Sequence, residues 1–190
     1  MPDQVFEDSN FENVDYTREV PEKGIYENCT FSGCNFYNIE LKGLVFVDCV
    51  FESCNLSLAK LNKVTFQEIE FRNCKMTGLR FEDCNTTLLS FRFDNCMLQL
   101  SSFIELKIPG TFFNNCNLQE VDFSGANLTR AVIRRCDLYK AVFDNTILEE
   151  ADLRTAENYS IDPENNYIRG AKVASAALPG MLEKYDLEIE

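Results

Sequence analysis

The sequence contains no histidine and no tryptophan, and its 190 residues include only 8 glycines and 5 prolines. Without histidine there is no imidazole base, no Ser/His/Asp triad and no Cys/His zinc site. No apolar run approaches the roughly 20 residues that cross a bilayer. The acidic start, MPDQVFEDSNFE, lacks the basic-then-apolar order of a secretory signal. A cytoplasmic location with no membrane partner is the expectation. Neither a glycine-rich phosphate loop nor a CxxC or HExxH pattern occurs, and no two carboxylates are set apart as acid and base. No catalytic residue, no cofactor-binding residue and no metal ligand set is expected, so the chain does not read as an enzyme. Positive charge is scarce as well: 18 basic residues face 31 acidic ones, a net charge of −13. Free nucleic acid would be repelled, because phosphate binding needs Lys and Arg.

What the chain does have is a period of five. Large apolar residues stand at Tyr26, Phe31, Phe36, Leu41, Phe46, Phe51, Leu56, Leu61, Phe66, Phe71, Met76 and Phe81. Thr86 takes the next place. The series slips by two residues and resumes at Phe93, Leu98, Phe103, Ile108, Phe113, Leu118, Phe123, Leu128, Ile133, Leu138, Phe143, Leu148 and Leu153. Neither the helical period of 3.6 nor the strand period of 2 fits this spacing. Superimposed on it is a period of twenty, carried by Cys34, Cys54, Cys74, Cys96, Cys116 and Cys136, with one spacing of 22 at the slip. Four fives make twenty, so the simplest geometry is a square coil with one pentapeptide per side, stacked into an all-β solenoid. Like residues then fall into like columns.

All nine cysteines stand two places before a central position of the frame. That slot should point inward, and elsewhere it holds Ala59, Ala126, Ala131, Ala141 and Ala151. Cysteine there acts as a small buried hydrophobe. Stacked neighbours would sit about 4.8 Å apart, but parallel side-chain directions and a reducing compartment argue against disulfides.

Charge is unevenly spread. Residues 1–28 carry 8 acids and 2 bases, residues 29–88 carry 7 and 6, residues 89–155 carry 9 and 7, and residues 156–190 carry 7 and 3. The ends are acidic and the shaft is nearly neutral. An acidic surface suits basic partners and also keeps a rod dispersed.

Three regions follow. Residues 1–25 read as an irregular N-terminal coil, in frame at Phe6, Phe11 and Tyr16 and broken near Pro21. Residues 26–155 form the solenoid. The slip near 84–92 makes Thr86, Thr87, Leu88 and Leu89 a small bulge, either neutral or a contact for a partner. Arg130, Arg134, Arg135 and Arg154 lie beside Glu149, Glu150 and Asp152, a pattern of inter-coil salt bridges or, less simply, an anion site. Residues 156–190 leave the frame and form a cap. SAALPGMLEKY suggests a short helix, and Leu187 and Ile189 alternate with acids like a brief strand.

The stretch GANLTRAVIRRCDLYKAVF resembles the pentapeptide repeat family, whose unit is small–polar–Leu/Phe–polar–polar. The resemblance covers about residues 26–155 and implies a right-handed quadrilateral β-helix. VFESCNLSLAKL, IEFRNCKMTGLRF and the tail from SIDPENNYIRGAKV onward are similar to the Qnr-type and microcin-immunity subgroup. That resemblance implies a DNA-mimicking binder of bacterial DNA gyrase or topoisomerase IV that protects it from quinolones or peptide toxins. It also implies an end-to-end homodimer, with Met181, Leu182, Tyr185, Leu187 and Ile189 as contacts. The alternative reading is an interaction scaffold with a different protein partner.

Overall fold

The computed structural model describes residues 4–188. Each five-residue side turns one large residue inward and then makes a corner. The corner places the residue two positions further on in the left-handed region, with φ between 50° and 55° at Asp8, Asn13, Asn28, Asn38, Asp48 and Asn73. This conformation costs most residues about 1–2 kcal/mol, and Asn, Asp and Gly are the types that tolerate it. The Asn and Gly punctuation of the sequence follows from that. Gly78, at φ +71°, is one such corner.

The sides are numbered here in chain order from Phe6, Phe11 and Tyr16 onward. Side 1 holds strands β1 (Gln4–Glu7), β3 (Gly24–Glu27), β5 (Val45–Val47) and β7 (Thr65–Gln67), which form a four-stranded parallel sheet. Side 2 holds β2 (Asn10–Glu12), β4 (Thr30–Ser32), β6 (Val50–Glu52), β8 (Ile69–Arg72), β9 (Phe91–Asp94), β10 (Phe112–Asn114) and β11 (Val132–Arg134), a seven-stranded parallel sheet. Sides 3 and 4 are joined by single-residue parallel bridges such as Asn35↔Asn55 and Arg80↔Ser102. Register pairs Phe31 with Phe51 across twenty residues and Phe71 with Phe93 across the slip.

The bore is dry. On side 2 the rings stack face to face, with centroid distances of 4.8 Å for Phe31–Phe51, 5.1 Å for Phe51–Phe71 and 5.0 Å for Phe93–Phe113. All nine cysteines are buried and free. The slot they occupy does more than fill space. Cys54 Sγ donates to the Phe31 carbonyl at 3.2 Å. Ser101 Oγ donates to Met76 O at 2.8 Å, Thr146 Oγ1 to Phe123 O at 2.9 Å and Asn166 Nδ2 to Phe143 O at 3.0 Å. At these positions the side chain adds a hydrogen bond to a buried carbonyl one coil back, whereas at Ala126 or Val121 the same slot is simply filled.

Three details differ from the sequence reading. Thr86 does not continue the inward series but faces solvent. Its place in the bore is filled by Phe91, whose ring lies 5.9 Å from Phe66, 5.3 Å from Phe81 and 5.5 Å from Phe93. Burying a phenyl ring gains more than burying a threonine, so the two extra residues loop out and Phe91 re-enters. Leu88 faces solvent as expected, whereas Leu89 is half-buried against the core. The coil also runs past residue 155, since Ile147↔Tyr167 and Asp152↔Lys172 still pair in parallel.

The C-terminal tail closes the last coil. Helix α1 (Leu178–Leu182) presses the Gly180 backbone onto residue 159 so closely that a Cβ would meet Tyr159 O at 2.1 Å. Ile161 N donates to Gly180 O at 3.1 Å. Lys184 Nζ lies 2.7 Å from both Asp162 Oδ1 and Glu164 Oε2, and the Tyr185 hydroxyl donates to Glu164 Oε1 at 2.7 Å.

Candidate interaction surfaces

The nine thiols of the bore are shut away from solvent. Burial pushes the Cys49 thiol up to about 12 and raises Cys84 in the same way. Among the described residues no three His, Cys, Asp or Glu side chains are placed to hold a metal. The accessible side chains stand on the outer faces.

Side 1 carries an acidic column. The frame turns Glu7, Asp8, Glu27, Asp48 and Glu68 outward on successive coils, with no Lys or Arg at the equivalent positions of those coils. Asn28 Nδ2 donates to Asp8 Oδ1, and Ser90 Oγ to Glu68 Oε2 at 3.3 Å. The column ends at the slip, where Leu88 takes the corner. Sides 2 and 4 are mixed in sign. On side 2, Arg92 pairs with Glu70 at 3.5 Å and lies 4.4 Å from the Phe112 ring centroid.

The arginine cluster divides by partner. Arg130 pairs with Glu150 at 2.7 Å and Arg154 with Asp152 at 2.7 Å. The Arg154 hydrogen bond holds the Asp152 carboxyl down to about 2. Arg134 instead lies 5.8 Å from the Phe112 ring.

The bulge is a small, distinct surface. Thr86, Thr87 and Leu88 are exposed, Leu88 at 69%. Beside it an open groove of about 470 Å³ is lined by Asp48, Glu68, Glu70, Arg92 and Phe112, among others.

Of the five tail residues expected at a dimer contact, the four that are described do not share one surface. Met181 points into the molecule and is buried against the last coil, so it cannot serve as a contact without leaving the core. Leu182 is half-buried. Tyr185 and Leu187 are exposed, and Ile189 lies outside the described residues. Residues 186–188 are not in a strand. Beside α1 an open cavity of about 920 Å³ is bordered by Arg135, Arg154, Glu157, Tyr159 and Glu183.

The sequence reading passed over a further feature, a set of exposed apolar residues on side 3: Tyr37, Leu58, Met97 and Leu100. The signal was present in the five-residue frame, because each stands one or two places from an inward residue and so must point out.

No helix among the described residues is long and apolar enough to cross a membrane. No curated protein is similar to the chain at a significant level. Among solved structures, trypsin-treated QnrB1, a plasmid-mediated fluoroquinolone resistance protein, aligns at a TM-score of 0.63 and 17% identity, covering 98% of this chain and all of that one. HetL, a pentapeptide repeat protein involved in heterocyst differentiation regulation in the cyanobacterium Nostoc, aligns at 0.65 and 14% identity over 92% of this chain and 86% of its own. At these identities the likeness is one of fold. The pentapeptide repeat region model matches residues 22–92, and the eight-copy pentapeptide repeats model matches 96–135 and 116–155. With stacked five-residue sides, inward rings and corner residues in register along the same stretch, the chain belongs to the pentapeptide repeat family.

Proposed function

We propose that the protein is a non-catalytic rod that binds another protein, and that its partner is a bacterial type II topoisomerase, gyrase or topoisomerase IV, which it shields from quinolones or peptide toxins. The observation that carries this reading is the acidic column of side 1. Coils stacked at about 4.8 Å place its five acids along roughly 14 Å. Duplex DNA carries about eight charges over that length, at one per ~1.7 Å. The column is thus a partial imitation of a duplex, confined to one side and one half of the rod. The fold likeness to QnrB1 over the full chain length supports the same reading. Self-association at the C-terminal end belongs to it, with Tyr185 and Leu187 outward.

The deciding measurement is a supercoiling assay with purified gyrase, with and without a quinolone. We expect the protein to change the quinolone response and the variant D48N/E68Q to lose that effect. No effect of the wild type at micromolar concentration rejects the topoisomerase partner. For the dimer, Leu187→Glu should give a monomer by light scattering; a persistent dimer places the contact elsewhere. The alternative, a scaffold for a different protein, is favoured by the uncharged apolar strip on side 3. A pull-down that recovers another partner and no gyrase would select it.

A further inference from the structure

Side 3 is the least charged face of a chain whose net charge is −13. Over the four coils centred on Phe36, Leu56, Met76 and Leu98, Lys75 is the one charged residue at an outward position. At the same height side 2 presents Glu52, Glu70, Arg72, Arg92 and Asp94. In place of charge, side 3 presents Tyr37 at 46% exposure, Leu58 at 46%, Met97 at 44% and Leu100 at 59%.

Two of these residues are out of place twice over. Leu58 and Leu100 occupy left-handed corners, at φ 59° and 60°, where asparagine or glycine would relieve the backbone. Elsewhere in the same column those corners are taken by Asn38, Glu120 and Lys140. The leucines thus add apolar exposure to a corner conformation that the frame imposes on every side, and apolar residues exposed in register on one face point to a contact. Gly78 separates them. Its missing side chain lets Leu58 lie across the corner, since a Cβ there would come within 2.8 Å of Leu58 Cδ2. The result is a continuous apolar ledge from Leu58 to Leu100.

We propose that this ledge seats a single amphipathic helix of a partner protein, laid along the rod with an uncharged apolar stripe facing inward. The pitch favours a helix. Coils repeat at about 4.8 Å and helical turns at about 5.4 Å, so each turn meets one coil. Leu58 and Leu100 stand two coils apart, about 10 Å, close to the roughly 10.5 Å between helical positions i and i+7. An extended strand turns alternate residues to opposite faces, so its same-face positions recur at about 6.6 Å and miss the coil repeat. The near absence of charge selects a neutral stripe, because a partner charge brought onto the ledge would lose water and find only Lys75. The inference rests on the reading of the rod as a binding protein, not on which protein it binds.

The test uses the full chain and a fluorescein-labelled, hydrocarbon-stapled helical peptide of about 18 residues, roughly 27 Å long. Its leucines lie on one stripe and the other positions are Ala, Gln and Ser. An isomer of the same composition scatters the leucines around the helix. By fluorescence anisotropy, the striped peptide should bind at least about 10-fold more tightly than its isomer, and L58E/L100E should remove that preference. L58N/L100N should raise the Tm while weakening the peptide. Equal binding of the two peptides, undiminished binding to L58E/L100E, or a lowered Tm in L58N/L100N overturns the proposal. The gyrase assay is read separately. Peptide binding without an effect on gyrase keeps the ledge and rejects the topoisomerase. An effect on gyrase without peptide selectivity does the reverse.

Discussion

The first and the last coils of the shaft share one frame but are filled differently. From Tyr26 to Phe51 the inward residues are rings except for Leu41; from Leu128 to Leu153 they are aliphatic except for Phe143. The neighbouring slots shift as well, from Cys29, Cys34, Cys49 and Cys54 to Ala126, Ala131, Ala141 and Ala151. Side 1 is a four-stranded sheet before the slip and holds single-residue bridges after it. Outside, the first half carries the acidic column, and the second carries cross-coil and in-coil ion pairs at Arg130 and Arg154. The backbone frame dictates which way each side chain points, and it leaves size and charge free within that direction.

The junction is the place to break this comparison. Phe91→Ala removes the ring that fills the bore at the slip, among Phe66, Phe71, Phe81 and Phe93, and should cost about 3–5 kcal/mol in denaturant unfolding. Phe143→Ala, at 8% exposure and stacked on Phe123 near the far end, should cost less. Equal costs would mean that the junction is no different from the rest of the bore. Next in size is Cys54→Ala, which deletes a donor to the Phe31 carbonyl and should cost about 1 kcal/mol. All nine thiols should stay unreactive toward Ellman's reagent until the chain unfolds. Rapid reaction of the folded protein would contradict their burial.

The tail offers a sharper contrast with the shaft through pH. Lys184 holds the Asp162 and Glu164 carboxyls below their ordinary values of 3.8 and 4.5. Lowered carboxyls stabilise the fold above those ordinary values, and the contribution is lost as the pH falls through the lowered ones. Hydrogen exchange in residues 178–186 should therefore quicken below about pH 4 while the shaft stays protected. Quickening at neutral pH instead would show that the clasp does not hold the tail. The smallest effect should come from Arg154→Ala, because its pair with Asp152 is on the surface. We expect no resolvable change in the denaturation midpoint, and a large one would give that pair a structural role.

Most of the shaft was legible because a period of five is written directly in the residues. Phe31, Phe51, Phe71, Phe93 and Phe113 could be placed in one column without coordinates. The slip was visible, but not which residue would re-enter. Phe91 stands in the slot otherwise held by Cys49 or Ala131, and only the vacancy left by Thr86 draws it in. The donors Ser101, Thr146 and Asn166 were hidden by expecting an apolar slot, when the slot also admits a polar side chain that reaches a carbonyl. The tail was least legible. Met181 looks like any exposed apolar residue of a short amphipathic segment until Gly180 allows the backbone to close on Tyr159.

Since every coil bonds only to the coil above and the coil below, the rod behaves like a ruler graduated in twenties. Duplicating or deleting one graduation would shift everything beyond it by a single step along the axis. Evolution could then tune the distance between the acidic stretch at one end and the clasped helix at the other without redesigning either.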